Sequence, residues 1–469
     1  MGQSRFIAFL LLVCSFGHTS AQGIHTNHEH EIDKDTNTLN HFFEKGRFYG
    51  HARSYFSSTV NEGSLTDYYA LGVGAGVGYE TPKFLKYFQV GMSGFFMFNV
   101  ASSDLGAPDP RTGQSSRYEV GLFDIEEPND HEDLDRLEEL FIKIHPTKKT
   151  VFTFGRQIPQ TPFINPQDGR MRPTLIEGAV LESDEIKNVQ LHGEYIFRIS
   201  PRSTVEWFNI GRSIGIYPSG VTTEGVPANF HGAIHSKGIA TIGGIYTKNR
   251  WSVRYWNTYV DNIMHTQFAS AEWKSPELTG KTWFVGGQVV SQKATGEGGA
   301  SAEHPTRYIE EGEASLVFSG RIGARSRTFD YYLNATRITG KGRYLMPREW
   351  GREPFYTFMP RERNEGFGNL TAVTVNTYWK PEKHIKVELS AGYFQLPDVK
   401  NYALNKYGLP SYTQVNAGLT YQFDHFLEGL NLLVLVVRKD QLGETYANDR
   451  FVFNKVNMSH FNFIINYHY

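Results

Sequence analysis

The chain holds 469 residues, with 47 Lys and Arg against 49 Asp and Glu, and the resulting net charge of −2 gives no electrostatic footprint for a nucleic-acid partner. Its sole cysteine, Cys14, lies in the opening segment, so the rest of the chain can form no disulfide, zinc–thiolate site or cysteine nucleophile. Aromatic residues make up 14% and the mean hydropathy is −0.41, which suits a soluble fold and a membrane barrel with polar lumen-facing residues equally well.

Arg5, the apolar run from Phe6 to Phe16 and the small residues Thr19 and Ala21 make a secretory signal pattern over residues 1–21. Residues 22–43 form a polar, His-rich arm. His25, His28 and His30 could bind a metal ion, but such loose spacing in a polar segment reads as a solvated tail. Past the signal, no apolar run reaches the 18 or so residues that a spanning helix needs.

From Arg47 onward the dominant period is two. In LGVGAGVGYE the glycines at 72, 74, 76 and 78 share one face, opposite Val73, Ala75, Val77 and Tyr79. A strand face bare of side chains suits a wall against which something packs closely. The acidic stretch Asp133 to Ile144 could be a helix or a strand entered from a loop. The next stretch, GRQIPQTPFINPQDGRMRP, must be a loop, because Pro159, Pro162, Pro166 and Pro173 each remove a backbone donor.

Alternation returns in WSVRYWNTYV, where Trp251, Val253 and Tyr255 oppose Arg254, and in VELSAGYF, where Val387, Leu389, Ala391 and Tyr393 oppose Glu388, Ser390 and Gly392. Leu432 to Val437 is apolar on both faces, so that strand is expected to touch packed protein on its inner side. In the last residues, Phe461, Phe463, Ile465, Tyr467 and Tyr469 alternate with Asn462, Ile464, Asn466 and His468, the pattern of a closing barrel strand with an apolar outer face. Backbone groups in hydrocarbon must all be paired, so such a sheet has to close. Residues 44–469 are therefore expected to form one transmembrane antiparallel β-barrel in an outer membrane. At roughly 25 residues per strand with its share of loop, it has about 18 strands.

The segment FTFGRQIPQTPFINPQDGRMRPTLIEG resembles the corresponding stretch of the OprD family of outer-membrane porins, and WGREPFYTFMPRERNEGFG, from Trp350 to Gly368, resembles a second stretch. FFEKGRFYGHARSYF and YYALGVGAGVGYETP fit the family too, so the similar blocks run from Phe42 to Gly368. The resemblance implies a single 18-stranded barrel with short periplasmic turns and inward-folded loops that narrow the pore. It further implies a ladder of basic residues that guides carboxylate-bearing solutes such as amino acids, small peptides or organic acids. Diffusion is passive on this reading, with no catalysis, cofactor or metal. The partners are outer-membrane lipid and the barrel-assembly machinery, and the barrel is a monomer or weak oligomer.

The arginines then have a role. Asp168-Gly169 supplies a turn that brings Arg170 and Arg172 toward the wall, and if extended the two project to the same side. Their forked donors suit a carboxylate handed from one position to the next. Arg156, at the end of VFTFGR, is expected on the wall facing the pore. Arg348, Arg352, Arg361 and Arg363 either add rungs or pair with Glu349, Glu353, Glu362 and Glu365 and brace loops.

Other classes fit less well. A hydrolase needs a nucleophile beside a base, and no motif pairs His51, His192, His231 or His235 with one of the many serines. A TonB-dependent transporter needs a plug domain before the barrel, whereas the strand pattern begins by Arg47. A structural or adhesive barrel with a closed lumen is the remaining alternative.

Overall fold

A computed structural model describes residues 39–132, 134–167 and 169–469. The signal pattern, the arm up to residue 38, Asp133 and Asp168 lie outside the described residues. A short helix, α1 (Leu39–Glu44), precedes the sheet and sets Phe42 edge-on against Phe84. The strands that follow are β1 (Arg47–Asn61), β2 (Tyr68–Glu80), β3 (Phe88–Ser102), β4 (Arg136–Ile144), β5 (Thr150–Gln157), β6 (Leu175–Ser183), β7 (Val189–Ser200), β8 (Phe208–Asn209), β9 (Ile239–Lys248) and β10 (Trp251–Val260). The remainder are β11 (Met264–Lys274), β12 (Lys281–Ala294), β13 (Ala314–Ser326), β14 (Phe329–Ile338), β15 (Leu370–Glu382), β16 (Ile385–Gln395), β17 (Tyr412–Gln422), β18 (Leu430–Gln441) and β19 (Met458–His468).

Each strand pairs antiparallel with its neighbours, and β19 pairs with β1 from Met458–Asn61 to His468–His51, which closes the sheet. β8 is a two-residue addition to β7, and β7 pairs directly with β9. The barrel therefore has 18 strands, as the chain length implied. The acidic stretch is the strand β4 and not a helix.

Alternation sets which way each strand faces. Outward residues are large and apolar, among them Phe96, Leu181, Ile242, Val285, Leu333, Val375 and Phe463, all exposed. Inward neighbours such as Thr258, Gln288, Asn334, Asn376 and Asn462 are polar and buried. Facing hydrocarbon with apolar side chains and the lumen with polar ones is what the bilayer demands of a barrel. Trp251, Val253 and Tyr255 all lie on the exposed face, as the alternation required.

The two-residue connections, at residues 249–250, 327–328 and 383–384, lie at one end. The long ones, at 103–135, 158–174, 201–238, 295–313, 339–369, 396–411 and 442–457, lie at the other. In outer-membrane barrels the short turns face the periplasm and the long loops face outward.

The apolar core sits inside the barrel, where these loops pack on the wall. One cluster joins Phe163, Phe355, Met359 and Phe367 to the wall residues Trp256, Phe268 and Phe394. A second gathers Ile164, Ile214, Phe230, Tyr308 and Trp350, and a third joins Phe123 and Met171 to Tyr55 and Phe95. Each such side chain contributes about 2 kcal/mol of burial, so the loops are held in the lumen by many small terms. Val437 is fully buried and Leu433 packs on the third cluster, which accounts for the two-sided apolar run of β18. The glycine face of β2 turns inward, where a Cβ on Gly74 would lie 2.6 Å from the Phe95 ring and one on Gly72 3.1 Å from Met171 Sδ.

Candidate functional site

Loop 158–174 crosses the lumen. Near its start Phe163 packs edge-on against Phe268 of β11 at 6.0 Å, and near its end Met171 reaches Gly72 of β2. Its shape is held internally: Thr161 and Ile164 exchange hydrogen bonds, Asn165 Nδ2 donates to Pro162 O at 3.2 Å, and Thr174 N donates to Pro166 O at 3.1 Å. Its prolines further reduce the conformations open to it.

Loop 339–369 follows the inner wall. Its Tyr356 hydroxyl donates to Glu272 of β11 at 2.9 Å, Thr357 bonds Thr336 of β14 at 2.7 Å, and Pro360 O accepts from Gln414 of β17 at 2.7 Å. Arg361 then reaches Tyr55 of β1 and Asn462 of β19. The two loops cross where the Asn165 amide bonds both backbone groups of Arg352, at 2.9 and 3.1 Å. A Cβ on Gly351 would lie 2.8 Å from Asn165 N, and its φ is +153°, so only glycine fits the crossing.

A basic centre forms where loops 158–174, 201–238 and 339–369 meet β1. Arg361 Nη2 donates to the Tyr55 hydroxyl at 2.6 Å and to Asn462 Oδ1. Arg53 of β1 donates to Arg170 O at 2.6 Å and to Asn466 Oδ1 at 2.5 Å. Arg202 and Arg363 share Gln167 Oε1 and Arg348 O as acceptors. All of these acceptors are neutral, and Arg170, Arg202, Arg361 and Arg363 make no ion pair among the described residues. Burial and the Arg361 guanidinium pull Arg170 down to about 10, and burial, with Arg363 and Arg170 nearby, pulls Arg202 down to about 9. Both remain charged at neutral pH.

A second centre is built on ion pairs. Glu362 lies 3.1 Å from Arg117, 2.9 Å from Lys439 and 3.6 Å from Arg348. Its carboxyl is buried, yet these cations hold it well below the usual carboxylate range. Arg348 also pairs with Glu365 and stacks over Tyr407 at 3.8 Å. It braces loops, one of the two roles open to it from the sequence.

The remaining arginines separate. Arg352 is exposed, stacks over Phe358 at 4.7 Å, and has no ion pair among the described residues. Arg172 is fully buried, and burial with Arg136 nearby pulls it down to about 9. The loop bends at residues 169–172 instead of running extended, so Arg170 and Arg172 do not project together, and Arg172 presents no surface to a solute. Arg156 is on the outer wall. It sits directly across from Leu140, whose side chain is exposed to the outside, and shares a face with the exposed Phe154. Residues two apart on a strand point the same way, so the pore-facing placement expected for Arg156 fails on parity. Asp168 lies outside the described residues.

Of the eight residues singled out in the sequence, Arg170, Arg361 and Arg363 come together. Arg53 and Arg202 were missed. Arg53 carried a signal, since His51, Arg53 and Tyr55 fall on one face of a strand, whereas nothing local marked Arg202.

A family model described as outer membrane porin, OprD family, matches residues 129–344. That segment contains the proline-rich loop but not the amino-terminal blocks or the stretch from Trp350 to Gly368. The fold is similar to solved structures of Acinetobacter baumannii OccAB3, at TM-score 0.69 and 14% identity, and of Pseudomonas aeruginosa OccK9 (OpdG), at 0.70 and 14%. It is also similar to Pseudomonas aeruginosa OpdK with vanillate, at 0.68 and 13%. Each alignment covers 91% of this chain and 99% of the other. No curated protein matches the sequence.

Proposed function

We propose that this chain, which has the fold of outer-membrane porins and matches the OprD family over residues 129–344, is a diffusion channel selective for small carboxylate-bearing solutes. One observation carries the reading. Four guanidinium groups, those of Arg170, Arg202, Arg361 and Arg363, meet on inward-folded loops, and among the described residues they have only neutral acceptors, so no acid there cancels their charge. Guanidinium forks suit carboxylates, and several weak stations in series let a solute pass without being trapped. Vanillate, present in the similar OpdK structure, is itself a carboxylate, and this supports the same class here. Passage is downhill and calls on no catalytic group or cofactor. In the same reading the barrel is inserted by the barrel-assembly machinery and acts as a monomer.

The test is single-channel recording in planar bilayers with small carboxylates and neutral sugars added to one side. Carboxylates should block the wild-type current and sugars should not. Arg170→Ala with Arg361→Ala should weaken carboxylate block by about tenfold, the size of one lost charge-assisted contact. Equal change for carboxylates and sugars would mean that the loops shape the pore without selecting.

A further inference from the structure

The arginine that the lumen does not use has its own surroundings. A row of directly paired residues crosses the outer face of β4 to β8: Leu140 with Arg156, Arg156 with Glu177, Glu177 with Arg198, and Arg198 with Asn209. The row lies at the long-loop ends of these strands, beside the exposed apolar residues Phe154, Leu181 and Tyr195 of the outer wall. On β5 to β7 these apolar residues lie on the short-turn side of the row, so the row stands at the long-loop edge of the apolar wall there.

The two guanidinium groups there are open and largely unspent. Arg156 and Arg198 are 22% and 51% exposed, and Glu177 Oε2 stands 3.5 and 3.7 Å from them without accepting a hydrogen bond from either. Two cations over one anion leave one positive charge facing the lipid. Arg156 stands over the Trp207 ring at 4.5 Å, and the indole N–H is directed at Leu137 O at 3.4 Å, so the guanidinium is positioned in advance. A cation on a lipid-facing wall is costly unless an anion meets it, and guanidinium forks match the geometry of phosphate oxygens.

We propose that Arg156 and Arg198 form an outer-wall site for the phosphate of an anionic outer-leaflet lipid. The site rests on the placement of the barrel in an outer membrane and is independent of what the pore selects. Glu177 is then the resident competitor that keeps the pair from binding too tightly.

Delipidated barrel in detergent can be titrated with bisphosphorylated lipid A and, separately, with phosphatidylethanolamine, and lipid-bound species counted by native mass spectrometry. Lipid A should bind the wild type in preference to the zwitterionic lipid. Arg156→Ala with Arg198→Ala should weaken it by about tenfold, and Glu177→Gln should bind at least as tightly as wild type. Millimolar inorganic phosphate should not displace the lipid, because the site is built at the edge of an apolar band that a free ion does not touch. Unchanged lipid A affinity in the double variant would overturn the proposal, and so would displacement by inorganic phosphate. Heat-modifiable gel mobility and wild-type conductance in both variants establish that the barrel is folded and keep this result separate from that of the pore.

Discussion

Glu362 illustrates how one side chain can organise several loops. Its carboxylate is almost fully buried and takes a cation from loop 103–135, a second from β18 and a third from its own loop. Desolvating so many charges is expensive, and the arrangement holds only while all partners are present. Glu362→Gln leaves buried cations without their anion and should cost about 3 kcal/mol. The expected readout is a lower midpoint for loss of heat-modifiable mobility, with noisier open-channel current as loops 103–135 and 339–369 loosen. Wild-type noise in a stably folded variant would show that the clasp does not hold the loops. Arg170 stands at the other extreme: its guanidinium donates to Gly169 O at 3.0 Å and makes no ion pair among the described residues.

The loops are the elements that decide what the lumen presents. Loop 103–135 is tied to the wall by Glu119, which accepts from Thr59 at 2.7 Å and Ser57 at 3.2 Å, and to its neighbour by Asp109. Asp109 is buried, but hydrogen bonds from Thr66, at 2.9 Å from the backbone and 2.8 Å from the hydroxyl, and from Thr112 outweigh that burial and hold its carboxyl at about 2. Because the folded value lies below the ordinary one, this tie is present above about pH 4 and is lost as pH falls toward 2. Current noise should therefore rise between pH 4 and pH 2 in wild type, and Asp109→Asn should show the noisier trace already at pH 6. A noise level independent of pH in both proteins would rule Asp109 out as the tie. The crossing of the two central loops is less forgiving, since Gly351→Ala has to push Asn165 aside and adopt a strained φ.

At the scale of the whole molecule the bilayer is the solvent that selects the fold. Every barrel strand must be paired on both edges, and β1 meets β19 to make this so. The outer face carries apolar residues along each strand, so a charge there is felt directly. Val375→Arg, on the outer face of β15, should destabilise the barrel by about 2–4 kcal/mol in lipid. A change of one cation for another on the inner face, Arg254→Lys, should leave stability within about 0.5 kcal/mol. Urea unfolding in bilayers, followed by tryptophan fluorescence, compares the two. Equal effects would mean that the assignment of inner and outer faces is wrong.

The sequence by itself determined the barrel, its closure and about how many strands it has. Those follow from a period of two read in local segments and from the demand of hydrocarbon that no backbone group go unpaired. The inward glycine face of β2 and the doubly apolar β18 were legible for the same reason, and so was the loop nature of the proline-rich stretch. Even the outward direction of Arg156 was open to the parity rule that the strand as a whole obeys. The basic centre was not legible in that way. Arg361 and Tyr55 are 306 residues apart and Arg361 and Asn462 are 101 apart, so their meeting depends on how loops fold back into the lumen. The bend that separates Arg172 from Arg170 comes with packing Met171 against β2, and Arg348 pairs with Glu365 whereas Arg363 has no ion pair among the described residues. Alternation is a property of the strand, but the company a charge keeps inside a closed barrel belongs to the tertiary fold.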